Sequence, residues 1–502
     1  MAKQLLLGID FGGSSSKATL LESSGRIVAS STREYPSYFP YSGWYEQDAD
    51  ELFDALVFNV RAILRDSGVD SAAICGVCVD AATHMAVLCG EDDRPLRRFL
   101  HWSDCRSGKE AAALKQQHGA LLAAHSVNSV SSAWTLPHLL WLRAHEPEVL
   151  EKTKRIYFLK DYLRHRLTGD FCTDSIEIIG SLLADDRTIT WCPELCALAG
   201  ITPEMLPEIK APTDLAGQVT EEAARLTGLR AGTPVIVGAP DTALEVFASG
   251  AVAEGMATVK LATAGRICPI TSRPIPSFQF FNYRHVVPGL WYPGTGTRSC
   301  AASYKWYRDT LGTAEAAEAA ARGESAYELL NRAAEQVPPG CDGLLFHPYL
   351  LGEMTPYFND DLCASFTGIR ASHGKGAFTR AVMEGVAYSM RDCFEEIRAQ
   401  DIRVEQYRLI GGGAKGRLWR QILSDVLAMP LTCTMDNDSS LGSAMLAGVA
   451  LGVFDSYRDS VEKCVVVSDQ VTPIAENVPI YEKGFQRYRK IVRALSEIYS
   501  ET

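Results

Sequence analysis

A turn of small residues follows an apolar run near the start of the sequence, in the stretch GIDFGGSSSKATLL at 8–21. The run from Leu5 to Ile9 predicts a buried strand that ends at the carboxylate of Asp10. Glycine-rich turns let phosphate approach backbone N–H groups, so the turn at 12–16 predicts a phosphate grip. Asp10 is placed to hold a hydrated Mg²⁺ beside it. A plain glycine hairpin is the structural alternative, since such turns are common.

Two familiar phosphate-binding motifs do not fit this turn. A P-loop needs a lysine and a hydroxyl residue in a fixed frame after its glycines, and Lys17 is not in that frame. A dinucleotide fingerprint needs a helix after the glycines, whereas KATLLESSGRIV predicts a hairpin. The sequence therefore indicates a grip built on a β-hairpin.

Alternating strands and helices are predicted along the chain, and they must position this turn. Apolar patterning predicts strands at 4–10, 17–22, 26–31, 73–80 and 234–238, and helices at 48–67, 107–118, 135–146 and 158–168. The segment MATVKLATAGRICPITS at 256–272 repeats the plan of strand, small-residue turn and strand. Later patterning predicts a helix at 376–399, a strand at 406–410, the glycine turn GGGAKG, and helices at 417–428 and 479–499. We expect an α/β protein with two domains of similar architecture.

Composition narrows the class of protein. The 502 residues are long enough for two or three domains, and 47% are hydrophobic. A net charge of −12 argues against nucleic acid and anionic membranes as partners, because both favour basic surfaces. No apolar run is long enough for a membrane helix or a signal peptide. The fourteen cysteines are scattered, which favours free thiols and a cytoplasmic protein.

The sequence resembles the FGGY carbohydrate kinases over about 4–455, most closely their xylulokinase branch. GIDFGGSSSKATLL resembles the family's first phosphate hairpin. The other matching segments follow in the family's order: THMAVL at 83–88, WSDCR at 102–106, TLPHLLWLRAHEPE at 135–148, FLKDYLRHRLTGDFCTD at 158–174, VGAPDTALEVFASGAV at 237–252, KLATAG at 260–265, FHPYLLGEMTPYFNDDLCASFTGI at 346–369, FTRAVMEGVAYSMRD at 378–392 and LIGGGAKGRLWRQILSDVLAMPL at 409–431.

The resemblance implies two duplicated ATPase domains of the actin/hexokinase/Hsp70 (ribonuclease H-like) fold with a cleft between them. We expect the N-terminal domain, 1–250, to bind the sugar and carry the first hairpin. The C-terminal domain, 251–502, would bind the nucleotide and end in a helix. The implied reaction is phosphorylation of a sugar hydroxyl with ATP and Mg²⁺, D-xylulose to D-xylulose 5-phosphate being the first candidate.

The resemblance also assigns site residues. Asp241 would be the general base, although PDTALEVFA also predicts that it caps a helix. Asp10 would anchor the metal ion, and Lys17 is more simply a solvated strand residue. The expected nucleotide contacts are Gly12, Gly13, Ser14, Ser15, Thr263, Ala264, Gly265, Gly411, Gly412, Gly413 and Ala414, with Asp438, Leu441 and Gly442 closing that site. The expected sugar contacts are Thr83, His84, Asp104, Asp241 and Thr242.

Several of these residues have structural alternatives or depart from the family. Asp104 is as well suited to an ion pair with Arg106 as to a sugar, and Trp102 suggests packing or a pocket wall. Xylulokinases typically have Gln-Met-His-Gly where Ala82 to Met85 stand, and Asn where Thr242 stands. A threonine is shorter and offers one O–H donor in place of the N–H donors of an amide, so the sugar specificity is open.

Other substrates, and functions of another class, therefore remain as alternatives to the phosphorylation of D-xylulose. Ribulose, L-xylulose or a tetritol would replace D-xylulose within the same reaction. A non-catalytic sugar- or nucleotide-binding module, or a chaperone-like ATPase, could use the same fold. The partners we expect are a small sugar and Mg-ATP, with no nucleic acid and no membrane, and a homodimer is left open.

Overall fold

The computed structural model describes residues 4–435 and 438–500. Helices alternate with strands along most of this range, as the sequence pattern predicts. The helices are α1 (Ala49–Ser67), α2 (Gly108–His125), α3 (Thr135–His145), α4 (Pro147–Lys152), α5 (Leu159–Thr168), α6 (Pro193–Ala199), α7 (Glu221–Thr227), α8 (Asp241–Ala248), α9 (Ala301–Thr310), α10 (Thr313–Arg322), α11 (Ala326–Glu335), α12 (Lys375–Arg398), α13 (Arg417–Leu427), α14 (Ser439–Ala450), α15 (Tyr457–Cys464) and α16 (Val478–Ser500).

Two six-stranded sheets carry the fold. The first contains β1 (Leu5–Phe11), β2 (Ser15–Glu22), β3 (Ile27–Glu34), β4 (Ile74–Ala81), β5 (Leu215–Gln218) and β6 (Pro234–Ile236). The second contains β7 (Met256–Leu261), β8 (Gly265–Pro269), β9 (Thr295–Thr297), β10 (Gln406–Ile410), β11 (Leu431–Thr434) and β12 (Val467–Val471).

The two sheets have the same topology. The first has the order β3-β2-β1-β4-β6-β5, and the second has the order β9-β8-β7-β10-β11-β12. In each, the three strands of the hairpin side are antiparallel, the next two pairings are parallel and the last is antiparallel. The second sheet therefore repeats the plan of the first, which confirms the repeat expected from the segment after residue 255.

Helix α1 shows why the local sequence folds as it does. Asp48 caps it, because its side chain accepts hydrogen bonds from the N–H groups of Asp50 and Glu51. Gly68 ends it in a left-handed conformation with φ of 64°. Its apolar face, which includes Leu52 and Leu56, packs in the core of the first sheet. This burial supplies the main stabilisation of the helix.

The chain forms two compact units. Unit 1 contains Met1–Val252, Ser272–Tyr292 and Asp436–Val465, and unit 2 contains Ala253–Thr271, Pro293–Met435 and Val466–Thr502. Two segments that follow residue 250 thus pack with the N-terminal part of the chain. The limits 1–250 and 251–502 remain a prediction for the two domains.

Most predicted elements have the expected type, with small shifts at their ends. The helix expected at 107–118 continues to His125, past a non-helical φ of −127° at His118. The strand expected at 234–238 ends at Ile236. Its last two residues instead begin the turn that leads to Asp241. Among the described residues, we find no helix that combines the length and the apolar character needed to cross a membrane.

Candidate active site

Two carboxyl groups lie side by side at the ends of neighbouring strands of unit 1. Asp10 on β1 and Asp80 on β4 are partners in the parallel register of these strands. Asp80 is buried and accepts a hydrogen bond from the Ser443 hydroxyl at 2.5 Å. Burial, and secondarily the carboxyl of Asp241, raises the pKa of Asp10 to about 7. Burial, with the charge of Asp10, raises the pKa of Asp80 well above its usual value. The pair therefore strongly disfavours two negative charges.

Asp241 is the first residue of α8, and the helix cap is Pro240. The sequence placed the helix cap at Asp241, and the structure places it one residue earlier, at Pro240. The Asp241 carboxylate accepts a hydrogen bond from the N–H of Thr242 at 2.6 Å, where the helix end favours negative charge. The turn before it includes Gly238, with φ of 78°, where a Cβ would meet the Val79 carbonyl oxygen at 2.8 Å. This close approach holds the segment against the end of β4.

Helix α14 covers the same region of unit 1. A Cβ at Gly8 would lie 1.9 Å from the Ser440 carbonyl oxygen, and one at Gly442 would lie 2.2 Å from the Leu244 carbonyl oxygen. Glycine at both positions therefore lets α14 pack directly on β1 and α8. Leu441 is buried in the same helix. The carboxylates near Asp10 consequently lie beside closely packed secondary structure.

Lys17 and Asp438 form an ion pair of 2.5 Å within unit 1. Each side chain is 33% exposed, so the pair is partly solvated. Asp438 also caps α14 by accepting hydrogen bonds from the Ser440 hydroxyl at 2.5 Å and the Leu441 N–H at 3.2 Å. Lys17 therefore lies on β2 and is partly solvated, as the sequence suggested, and it also has an ion-pair partner. The expected nucleotide role of Asp438 stays a prediction.

The Thr242 hydroxyl contacts a residue far along the chain. Its Oγ lies 3.0 Å from the Tyr292 hydroxyl oxygen. Tyr292 is buried and ends the segment Ser272–Tyr292, which packs within unit 1. The segment is fastened by the Asn128 side chain, whose amide N–H donates to the Asn282 carbonyl oxygen at 2.9 Å and whose amide oxygen accepts the Asn282 N–H at 2.7 Å. A hydroxyl pair thus occupies the position next to Asp241.

His84 is buried in a left-handed conformation with φ of 52°. Its N–H donates to the Glu177 carboxyl group, and its carbonyl oxygen accepts from the Thr135 hydroxyl at 2.7 Å. A Cβ at Gly180 would lie 2.4 Å from the His84 ring, so only glycine leaves room for this ring. Thr83 beside it is also buried. Their sugar-binding roles stay predictions.

Asp104 forms the ion pair that the sequence offered as its alternative role. Both of its oxygens accept hydrogen bonds from Arg106, at 2.9 and 3.0 Å, and one accepts from the Tyr45 N–H at 2.5 Å. Arg106 also lies over the Trp44 ring, with its guanidinium carbon 3.7 Å from the ring centre. These contacts favour the structural role over sugar binding. Trp102 is 45% exposed, which does not fit a packing residue.

A buried ionic network joins the segment before Asp241 to the turn that contacts His84. Lys160 pairs with Asp161 at 2.5 Å and with Asp174 at 2.7 Å. Arg164 pairs with Asp161 and donates to the Val237 carbonyl oxygen at 2.6 Å. Asp174 accepts hydrogen bonds from the N–H groups of residues 176 and 177, at the start of the turn whose Glu177 holds His84. The network therefore connects the approach to Asp241 with His84.

A hydrated Mg²⁺ fits the chemistry of the carboxyl pair. Asp10 and Asp80 each have one buried oxygen without a hydrogen-bond partner among the described residues. Carboxylate oxygens are the ligands that Mg²⁺ prefers, and the ion keeps several waters. A bound cation would favour the ionised forms of both carboxyls, whose pKa values are raised chiefly by burial. Asp10 and Asp80 are accordingly the residues of unit 1 suited to hold it.

The second turn of small residues lies in unit 2, between β7 and β8. Thr263 is exposed, Ala264 is half-buried and Gly265 is buried. The carbonyl oxygen of Thr263 accepts the N–H of Cys300 at 3.0 Å, at the start of α9. A Cβ at Gly265 would lie 2.3 Å from the Met390 sulfur, so close packing requires glycine there. The nucleotide contacts expected at this turn stay predictions.

The glycine run of unit 2 joins β10 to α13. Gly411 has φ of 93°, and a Cβ there would lie 2.6 Å from the Leu261 carbonyl oxygen. Gly412 is exposed and has open space around it, and Gly413 packs against Leu261. Ala414 donates its N–H to the Gly411 carbonyl oxygen at 3.1 Å. The run therefore brings backbone close to the end of β7, and the nucleotide contacts expected along it stay predictions.

Sequence reasoning missed Asp80 and Tyr292. Asp80 follows the apolar run of the strand expected at 73–80, just as Asp10 follows β1, so its position was a usable signal. Tyr292 carries no such signal, because it reaches Thr242 only through the packing of Ser272–Tyr292 within unit 1.

Comparison with known proteins places this site in a family. Residues 5–248 match the N-terminal domain model of the FGGY family of carbohydrate kinases, and residues 261–451 match its C-terminal domain model. The chain is 30% identical over 500 residues to a xylulose kinase of Lactococcus lactis, covering 98% of this chain and 97% of the relative. It is 29% identical over 501 residues to a gluconokinase of Bacillus licheniformis, covering 99% and 97%.

A solved structure agrees with these matches. The crystal structure of a xylulose kinase from Rhodospirillum rubrum has a TM-score of 0.89 and 28% identity, covering 99% of this chain and 100% of the other. The expected fold class is confirmed as the two-domain α/β fold of sugar kinases of the actin/hexokinase type. The chain belongs to the FGGY family of carbohydrate kinases.

Proposed function

We propose that the protein transfers the γ-phosphoryl group of ATP to a hydroxyl of D-xylulose, giving D-xylulose 5-phosphate. The observation that carries this proposal is the grouping of Asp10, Asp80 and Asp241 in unit 1. The carboxyl of Asp241 is close enough to contribute to the raised pKa of Asp10, and Asp10 is the register partner of Asp80, which supports this grouping. Full-length relatives named xylulose kinase support the choice of sugar.

Phosphoryl transfer needs alignment and charge neutralisation more than covalent help. Asp241 would accept the proton of the attacking sugar hydroxyl and orient its lone pair toward phosphorus. Asp10 and Asp80 would hold Mg²⁺, which neutralises charge on the phosphates. The N–H groups of the turn at 12–15 would hold the terminal phosphate. Thr83, His84 and Thr242 would contact the sugar, and the turns of unit 2 would hold the rest of the nucleotide.

Gluconate is the second candidate substrate, because gluconokinases match the chain over nearly its full length. The side chains beside Asp241 argue for an uncharged sugar. They are carboxyls, at Asp10 and Asp80, and hydroxyls, at Thr242 and Tyr292. None of these four residues is a cation that could pair with the carboxylate of a sugar acid, whereas hydroxyls pair well with a ketose or a polyol.

The deciding experiment measures ADP release from Mg-ATP with D-xylulose, D-gluconate, D-ribulose, L-xylulose and a tetritol. We expect kcat/KM to be highest for a ketose. A maximum with gluconate would replace xylulose in this proposal. ATP hydrolysis that no sugar stimulates would instead favour a chaperone-like ATPase, and nucleotide binding without turnover would favour a binding module.

The fourteen cysteines are free thiols, which fits action in the reducing cytoplasm. The homodimer that the sequence leaves open is not part of this proposal.

A further inference from the structure

The turn between β1 and β2 is held in place by hydrogen bonds that its carbonyl oxygens accept. The Tyr35 hydroxyl lies against the carbonyl oxygen of Gly12, and the Tyr45 hydroxyl donates to that of Gly13 at 2.6 Å. The Gln47 amide donates to the same Gly13 oxygen at 2.8 Å. The carbonyl oxygen of Ser14 accepts the N–H of Tyr35 at 3.2 Å. The carbonyl oxygen of Ser15 accepts the Gly12 N–H at 3.1 Å. All four carbonyls of the turn are therefore occupied.

These contacts fix the direction of the turn's N–H groups. In a planar trans peptide, the N–H points opposite to the carbonyl of the preceding residue. The N–H groups of Gly13 and Ser14 thus point away from Tyr35, Tyr45 and Gln47. Both residues are exposed, and among the described residues neither N–H donates to a backbone carbonyl. Two adjacent free N–H groups on one side form a concave site for an anion.

The three donors come from one connecting segment, 35–47, and each is itself held. Tyr35 is buried and its ring stacks on Phe11. The Tyr45 ring stacks on His101 with centroids 4.0 Å apart. Gln47 is buried in a short strand, Glu46–Gln47, that pairs with Phe99–Leu100. Burial raises the pKa of the Tyr35 hydroxyl, which keeps it protonated as a donor. The donors are therefore pre-organised around the turn.

We propose that Tyr35, Tyr45 and Gln47 are positioning residues that aim the Gly13 and Ser14 N–H groups at the terminal phosphate of the nucleotide. Glycine peptides flip readily, and a flipped peptide would present a carbonyl oxygen to the phosphate. The three donors prevent this by binding the carbonyl oxygens on the opposite side. The inference rests on the proposed function, since it assigns the γ-phosphate to this turn. It adds that the segment 35–47 sets the preference for a triphosphate over a diphosphate.

The test compares nucleotide binding in the full-length protein by calorimetry with Mg²⁺ and without sugar. The probes are ADP and the non-hydrolysable ATP analogue with an imido bridge. In the double variant Tyr45→Phe/Gln47→Leu, the Gly13 carbonyl loses both side-chain donors. Charge-assisted hydrogen bonds to phosphate are strong, so we expect about 10- to 100-fold weaker binding of the ATP analogue and ADP affinity within about threefold.

The matched control is Tyr38→Phe. Its hydroxyl lies in the same segment but donates to Glu51 at 2.8 Å, so both affinities should stay within about twofold. If the double variant does not fold, Tyr45→Phe alone should weaken the analogue about tenfold. Equal loss of both nucleotides, or no loss of either, would overturn the inference. Wild-type protein that binds the analogue but phosphorylates no sugar would refute the proposed function alone, and wild-type protein that binds neither nucleotide would refute both.

Discussion

Asp10 and Asp80 are register partners on adjacent parallel strands, so two carboxyl groups share one buried edge of the first sheet. Both pKa values are raised, chiefly by burial. Such a pair is unfavourable for folding unless something compensates its charge. The position of this pair near Asp241 fits a site that receives a cation, and a cost to stability is typical of functional sites.

Replacing Asp10 by alanine should remove one carboxyl group of the pair and leave the proposed sugar contacts of unit 1 intact. We expect Asp10→Ala to lower kcat about 10²-fold or more, as removal of a preorganised electrostatic group does. The Kd for the sugar, measured by calorimetry without nucleotide, should change less than about threefold. A kcat and a dependence on Mg²⁺ concentration like those of the wild type would mean that Asp10 has only a structural role.

Substitution of the proposed base should separate chemistry from binding. We expect Asp241→Asn to fold normally and to lose about 10²- to 10⁴-fold in kcat, while the KM for ATP stays within about threefold. The matched control is Glu245→Gln, which neutralises a carboxylate one turn further along the same helix. Near-normal turnover in Asp241→Asn, or an equal loss in the control, would contradict the assignment.

The fold was predictable because its signals are local. The apolar run of β1, the cap of α1 at Asp48 and the glycine turns each depend on a few neighbouring residues. The register that joins Asp10 to Asp80 was partly accessible, since both follow apolar strands. These signals suffice for element type and for the repeated sheet plan.

The rest depends on contacts between residues far apart in sequence. Nothing in the composition of Ser272–Tyr292 shows that it packs with the N-terminal part of the chain or that Tyr292 meets Thr242. The choice of Asp104 between a sugar and Arg106 likewise depends on the Tyr45 N–H, 59 positions away. Side-chain partners of this kind follow from tertiary packing, which periodicity does not encode.

The hydroxyl pair beside the base should control sugar preference. We expect Thr242→Asn to raise the ratio of kcat/KM for D-xylulose over D-ribulose about tenfold, because an amide reaches further and places its N–H donors and its carbonyl acceptor on separate atoms. Tyr292→Phe removes the partner hydroxyl without changing the ring and should also alter this ratio. The assay measures kcat/KM for D-xylulose, D-ribulose, L-xylulose and a tetritol in each variant. An equal factor for all four sugars would show that Thr242 does not contact the substrate.

Acid stability should depend on a buried histidine of unit 2. Burial lowers the pKa of His347 to about 4, whereas an unfolded histidine titrates near 6.5. The unfolded state therefore binds the proton first as pH falls, and stability is lost between pH 6.5 and 4. His347→Gln should reduce the loss of unfolding free energy between pH 7 and 4.5 by about 2 kcal/mol.

The control for this measurement is His145→Gln, because the His145 side chain is 53% exposed. Urea unfolding at both pH values gives the two differences. If His347→Gln and the wild type lose equal stability on acidification, the buried ring is not the group responsible.

The ionic network should matter both for stability and for the sugar site. Lys160→Met leaves the buried carboxylates of Asp161 and Asp174 without this cation, so we expect a loss of about 3–5 kcal/mol in unfolding free energy. Since Asp174 holds the turn that carries Glu177, and Glu177 holds His84, the KM for the sugar should rise more than the KM for ATP.

The matched control is Lys152→Met, an exposed lysine in the same region of unit 1, which should change stability by less than about 0.5 kcal/mol. Equal losses of unfolding free energy in the two variants would show that the buried network does not stabilise the fold. Equal rises in the KM values for the sugar and for ATP would show that the network does not position His84.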